Sequence, residues 1–269
     1  MQEDLVILLE WFRANGVNEF FDESIDSGGF VGLQNKYQKS IGVGLGDTIA
    51  ALARQQRDIK NSISGNNAQV REIADQSNSV DQLLNTIYTL ELYDNFRKMA
   101  TNTIVMGGNV NSKIIVINDF PDDDDDVAGT IFAGKSGDLF RKMLQSIDVD
   151  FGALCFLNTF FWRLPGNRAP IVEELDICKP FVEKMIGLLE PKFIIFNGSY
   201  GVTTLFEKNK TLANLRGRIL DYDNCYLRSK IKTTGTYSPL LLLRHGEKKK
   251  DSWSDLIKIK EFLSESKLA

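Results

Sequence analysis

Carboxylates dominate the side chains that could do chemistry. Six of the eight residues 119–126 are aspartate: Asp119, then Asp122, Asp123, Asp124, Asp125 and Asp126 in one unbroken run. Such a run is ordinarily a solvated loop. Two chemical uses compete with that reading. One is ligation of Mg²⁺, although the run lacks the spacing of a calcium-binding loop. The other is a carboxylate beside a reacting sugar, where negative charge stabilises an oxocarbenium-like centre. Gly129 and the triplet Gly134-Lys135-Ser136 complete the spacing of a phosphate-binding loop. No strand leads directly into it and the acidic run repels a triphosphate, so a helix N-terminus able to hold a single phosphate is the competing reading. Asn158 opens a segment that continues through Trp162 to Arg168. Its amide carries both a donor and an acceptor, the pair needed to read an imide edge, or else it satisfies a turn. The sole histidine, His245, lies in a basic stretch. Cys155, Cys178 and Cys225 are too few and scattered for a disulfide framework, and no C-x-x-C pair suggests zinc.

Most of these residues follow short apolar runs. From Lys113 onward such runs alternate with helical periodicity, the pattern of a parallel sheet covered on both faces. Strands are predicted over residues 114–117, 153–157 and 193–196, with a weaker one before Tyr237. Helices are predicted over residues 136–147, 172–189 and 251–263. The fold class expected is α/β: three α/β/α layers around a central, mostly parallel four-stranded sheet. Ligands of such sheets bind outside the carboxyl ends of the strands, which directs attention to residues 118–121, 158–168, 197–199 and 237–239. Upstream, residues 3–15 read as an amphipathic helix, residues 47–79 as a polar tether, and the stretch from Val80 to Leu92 as a second amphipathic helix. The division expected is a helical extension and polar linker over residues 1–90 and an α/β/α domain over residues 91–269.

Composition excludes several classes. With 43% apolar and 25% charged residues the chain is neither disordered, collagenous nor a coiled coil. It has no apolar run of membrane-spanning length and no basic leader, and is expected to be cytoplasmic. The net charge of −4 conceals an asymmetry: residues 206–269 carry 14 Lys and Arg against 8 Asp and Glu, so this quarter is at +6 and the remainder at −10. A local basic surface of that kind can hold a phosphate backbone, or can simply be solvated.

Taken in order, the blocks from about Met99 onward resemble the bacterial type-4 uracil-DNA glycosylases. That family's Gly-Glu-Ala-Pro-Gly, acidic pair and Pro-Phe-Val-Gly-x-x-Gly are matched here by residues 118–122, Asp125-Asp126 and residues 131–137. Its Asn-x-x-x-x-Arg-Pro-Pro-Gly-Asn-Arg is matched by residues 158–168 with Leu164 in place of a proline. Cys178-Lys179-Pro180-Phe181, Leu215-Arg216-Gly217 and residues 236–244 match later blocks. The resemblance implies hydrolysis of the N-glycosidic bond between uracil and deoxyribose in a flipped-out nucleotide. It implies that Phe132 stacks on the base, Asn158 bonds its imide edge, Asn167 lines the same pocket, Asp125 positions water or stabilises the sugar cation, and backbone after Asp119 approaches O2.

Departures from the family pattern carry their own expectations. Ser238 stands where the family has a histidine that stabilises charge developing on uracil O2; it can donate one neutral hydrogen bond, and His245 is not expected to substitute. Catalytic duty therefore falls to Asp119, Asp125 and Ser238, with a reduced rate. Asn118, Phe120 and Asp122 replace Gly, Ala and Gly, putting side chains where backbone should meet the base. The four cysteines that hold a four-iron cluster in the family correspond to Glu91, Asp94, Trp162 and Cys178, so no cluster is expected and Trp162 should fill that space. The expected partner is uracil-containing DNA, bound by a monomer. The alternative, from a different class, is a glycosylase-fold protein that binds nucleic acid or base without turnover; a metal-dependent phosphohydrolase using the aspartate run is a third.

Overall fold

A computed structural model describes residues 67–206 and 210–268. Its centre is a six-stranded sheet. In chain order the strands are β1 (Met106–Gly108), β2 (Ile114–Asn118), β3 (Cys155–Asn158), β4 (Phe193–Asn197), β5 (Leu220–Tyr222) and β6 (Ile231–Thr236), and across the sheet the order is β1-β3-β2-β4-β6-β5. The inner four run parallel, as the apolar runs lead one to expect, while β1 and β5 are antiparallel edges. The edges escape sequence analysis because each is only three residues long, and β1 is Met-Gly-Gly, with no alternation to detect.

Every residue of β2 and β4 is buried, which is why both read as unbroken apolar runs: helices cover both faces. The helices are α1 (Asn67–Asp75), α2 (Val80–Thr89), α3 (Asp94–Met99), α4 (Asp123–Ala128), α5 (Gly134–Gln145), α6 (Val172–Leu189), α7 (Tyr200–Leu205), α8 (Leu212–Leu215), α9 (Pro239–Arg244) and α10 (Lys249–Glu265). On one face Ile114, Val116, Phe193 and Ile195 share a core with Phe140 and Leu144 of α5 and Leu256 and Ile259 of α10. On the other, Gly201 of α7 lets the helix close on Ile117 and Phe196.

Residues 67–79, assigned to the tether, are instead ordered structure. Val70 and Ala74 of α1 are fully buried, Arg71 bonds Glu183 of α6 at 2.8 Å, and Ser79 caps α2. The apolar positions are few because α1 buries only a narrow stripe against α6, so its polar composition disguises it. Residues 67–89 thus share the compact unit 67–269 with the sheet. The helix expected over residues 3–15 and the tether from 47 to 66 lie outside the described residues.

Candidate active site at the strand ends

Parallel register sets the first feature of the site. Asn118 ends β2 and pairs in register with Asn158 at the end of β3 and Asn197 at the end of β4, so three amides stand in a row across neighbouring strands. They bond head to tail. Asn158 Nδ2 donates to the backbone carbonyl of Ile104 at 2.8 Å, Asn118 Nδ2 donates to Asn158 Oδ1 at 2.9 Å, and Asn197 Nδ2 donates to Asn118 Oδ1 at 3.3 Å. Asn158 and Asn197 are fully buried.

The aspartate run divides its labour. Asp122 caps α4 and forms a capping box with Asp125, whose carboxylate also accepts from the Ala133 N–H at 2.7 Å. Asp126 accepts from the backbone N–H groups of Thr101 and Asn102. Asp123, exposed, is bonded by Arg163 and Asn167. Acidic residues in the first turn of α4 also complement its N-terminal partial charge. Burial, reinforced by the charge of Asp122, pushes the Asp125 carboxyl up to about 7. Asp119, half-buried after β2, is likewise pushed up to about 7 by burial, against the lowering effect of the N–H groups of residues 199–201. Its oxygen lies where a side chain on Gly198 would have to sit, only 2.0 Å from a Cβ built there, so the glycine makes the contact possible.

Phe132 precedes α5 in the left-handed region, at φ 62°. That is a costly conformation for an aromatic residue and one that recurs at ligand clamps. One side of its ring packs on Phe140, with centroids 4.4 Å apart, and its edge contacts are with Phe151 and Phe156. Gly137 is required here, since a Cβ would fall 1.8 Å from the Phe132 carbonyl oxygen. Ser136 Oγ donates to Asp122 at 2.7 Å, and Asp124 abuts Gly134. Carboxylates thus already stand against the N-terminal turn of α5, the place the phosphate-loop reading reserved for an anion.

Ser238 caps α9, its oxygen accepting from the Leu241 N–H at 3.4 Å. The hydroxyl proton is left free to donate. Asn118, Phe120, Asp122, Asp125, Phe132, Ser136 and residues 238–240 enclose one small cleft, about 20 Å³ in volume, roughly the space of one ordered water. Of the residues singled out in the sequence, Phe132, Asp125 and Ser238 line it. Asp119, Asn158 and Asn167 do not: Asp119 turns to the start of α7, fully buried Asn158 bonds Asn118, and exposed Asn167 is held at Asp123. His245 lies at the far end of α9, with Nδ1 3.3 Å from Glu247.

A sequence model described as the uracil DNA glycosylase superfamily matches residues 106–257, from β1 into α10. The chain belongs to that superfamily. Curated relatives point the same way within it. A type-4 uracil-DNA glycosylase of Archaeoglobus fulgidus is 25% identical over 187 residues, covering 68% of this chain and 92% of that relative. Those of Pyrobaculum aerophilum and Thermotoga maritima are 28% and 27% identical, covering 57% and 61% of this chain and 82% and 84% of theirs.

In this uracil DNA glycosylase superfamily member the positions corresponding to the family's cluster ligands do not suit iron and sulfide. Trp162 is fully buried, stacks on Phe96 at 5.3 Å, tilts against Tyr93 at 4.8 Å and donates from Nε1 to Thr103. Burial holds the Cys178 thiol well above its usual pKa, as a neutral group, and the Asp94 carboxylate bonds Arg97. One thiol among packed rings is a poor donor set for a cluster that takes four thiolates. The aspartate run fits Mg²⁺ no better, because its carboxylates are turned to separate backbone and cationic partners. Sequence reasoning put Asn118, Asn158 and Asn197 at strand ends and a side chain of Asn118 near the base; what it missed is that the three amides bond to one another in a row. The repetition of Asn at the end of three successive apolar runs was the available signal.

Proposed function

We propose that this protein hydrolyses the N-glycosidic bond of deoxyuridine in DNA, releasing uracil for base excision repair. The observation that carries the reading is the convergence of Phe132, Asp125 and Ser238 on one cleft at the carboxyl ends of the parallel strands, in a chain of this superfamily. Phe132 supplies a flat, rigidly backed face for the flipped base. As the bond to C1′ breaks, positive charge grows on the sugar and negative charge on the base. Ionised Asp125 stabilises the first and orients the attacking water. The Ser238 hydroxyl, its oxygen already engaged by Leu241, donates a hydrogen bond to the base carbonyl that becomes anionic and keeps its proton. Asp119 positions the β4 to α7 connection, and Asn167 holds the rim through Asp123.

A neutral hydroxyl replaces the stronger donor of the type-4 pattern, so turnover is slow. Removing an oxyanion donor outright costs about 2.7–4 kcal/mol in other enzymes, and serine recovers part of that. The reading takes the protein as a cytoplasmic monomer acting on uracil-containing DNA, with residues 1–66 an extension of the catalytic domain. No helix among the described residues is long and apolar enough to cross a membrane. The deciding experiment incubates a uracil-containing oligonucleotide with excess protein beside a thymine control: strand breaks after alkali in the first alone are expected, and no break at any protein excess would overturn the reading.

A further inference from the structure

The three-amide row has a direction that is not arbitrary. A backbone carbonyl can only accept, so the bond to Ile104 obliges Asn158 to place Nδ2 there and to turn Oδ1 toward Asn118. Asn118 must then offer Nδ2 to Asn158, which leaves Oδ1 facing the Nδ2 of Asn197. Flipping any one amide would set oxygen against oxygen or nitrogen against nitrogen. Such chains also polarise one another in a low-dielectric interior. Asn118 is therefore held in a single orientation from both sides, and it is the one amide side chain lining the cleft.

Asn158, by contrast, is sealed. The residue is 0% exposed, its oxygen is taken by Asn118, and it is absent from the lining of the cleft, to which Asn118 belongs. Asn118 has capacity to spare. Its Oδ1 accepts one bond and has a second lone pair, and one Nδ2 hydrogen goes to the Phe120 carbonyl across a long 3.3 Å. With its orientation kept and the Phe120 bond given up, an acceptor beside a donor is the complement of an imide edge. Against a base presenting a ring acceptor and an exocyclic amine the locked amide is mismatched at both points. Phe120 and Leu240 are the half-buried apolar side chains of the lining, and a ring that enters must displace them.

Building on the glycosylase reading, we propose that Asn118 is the specificity-determining residue that reads the base edge, and that Asn158 and Asn197 are positioning residues that lock its orientation. The test measures inhibition by free uracil and free cytosine of uracil excision from a single-stranded oligonucleotide. It compares wild type, Asn118→Gly and Asn158→Ala, with thermal melting as the check on folding. Asn118→Gly is expected to weaken inhibition by uracil about 10- to 100-fold. Asn158→Ala, which frees the amide without removing it, is expected to retain inhibition by uracil within about tenfold while the preference for uracil over cytosine falls. Uracil inhibition kept or strengthened in Asn118→Gly and abolished in a folded Asn158→Ala would overturn the inference, making Asn158 the reader and Asn118 a plug. Should Asn118→Gly not fold, an unchanged base preference in Asn158→Ala overturns it alone. Wild-type protein that neither excises nor binds uracil would bring down the glycosylase reading itself, an outcome distinct from either.

Discussion

Ser238 has two tasks, and they separate on mutation. Its oxygen caps α9, and the residue lines the cleft. Ser238→His is expected to raise the single-turnover rate of uracil release by up to about a hundredfold, by supplying a stronger donor. The same change removes a cap and should cost about 1 kcal/mol of stability in a melting experiment. A faster but less stable variant is the expected signature; a rate unchanged within twofold would show that Ser238 does not face the leaving base. The carboxyls of Asp119 and Asp125 make a second, pH-dependent pair of effects. Both are raised by burial to about 7. In the unfolded chain each loses its proton near pH 4, whereas the folded protein keeps it until about pH 7. Between those values the folded state binds more protons, so stability is fullest below about pH 4 and falls as pH rises through about 7. Melting temperatures followed across this window should decline with pH, and less steeply in Asp119→Asn. Uracil release should run the other way, rising through about pH 7 as Asp125 ionises, and Asp125→Asn should abolish that rise.

Among elements, the aromatic cluster beneath α3 joins helices from distant parts of the chain. Trp162, Tyr93, Phe96, Phe160 and Phe161 contact one another ring to ring, and Tyr93 donates to the carbonyl of Ile177 at 2.8 Å. Packing of this kind ties the start of α3 to α6. Trp162→Ala should therefore cost about 3–5 kcal/mol in denaturant unfolding, and Trp162→Cys should be similarly destabilised with no gain of iron, since it supplies only a second thiol. Stability unaffected by removal of the indole would mean that the cluster is not what holds these helices. The α1 helix teaches a related lesson in reading sequence. Its two buried positions, Val70 and Ala74, lie one turn apart, and its other anchors are polar, through Arg71 to Glu183 and Asp75 to Tyr226. A helix that docks by one narrow stripe and a few polar bonds looks like linker in composition.

For the whole molecule the relevant quantity is where the charge lies. The exposed cations Arg244, Lys249 and Lys250 come after Leu240 of the cleft lining in sequence, at the end of α9 and the start of α10. Lys248 is anchored there by its position over the Tyr237 ring, 5.1 Å from the centroid. DNA phosphates flanking a flipped nucleotide would meet this patch despite the chain's net charge of −4. Replacing Lys249 and Lys250 by Ala should weaken DNA binding and flatten the plot of log affinity against log salt by about 0.7–0.9 for each phosphate no longer neutralised. The rate at saturating protein should stay as it was. An unchanged salt slope would place the phosphate-binding surface elsewhere.

The parallel sheet was legible in the sequence because strands buried on both faces must be continuous apolar runs, and the residues after those runs had to gather at one edge. Phe132, Asp125 and Ser238 do meet there. The expectations of absent cluster thiolates and of serine in place of a histidine came from the resemblance to type-4 glycosylases, since residue identity decides what a side chain can ligate or donate. The relation between Asn118 and Asn158 was settled only by tertiary structure. Both end apolar runs and both carry the same amide, and nothing local distinguishes the one that lines the cleft from the one that does not. Strand register brings them side by side, and a single backbone carbonyl, that of Ile104, sets the direction of every hydrogen bond between them.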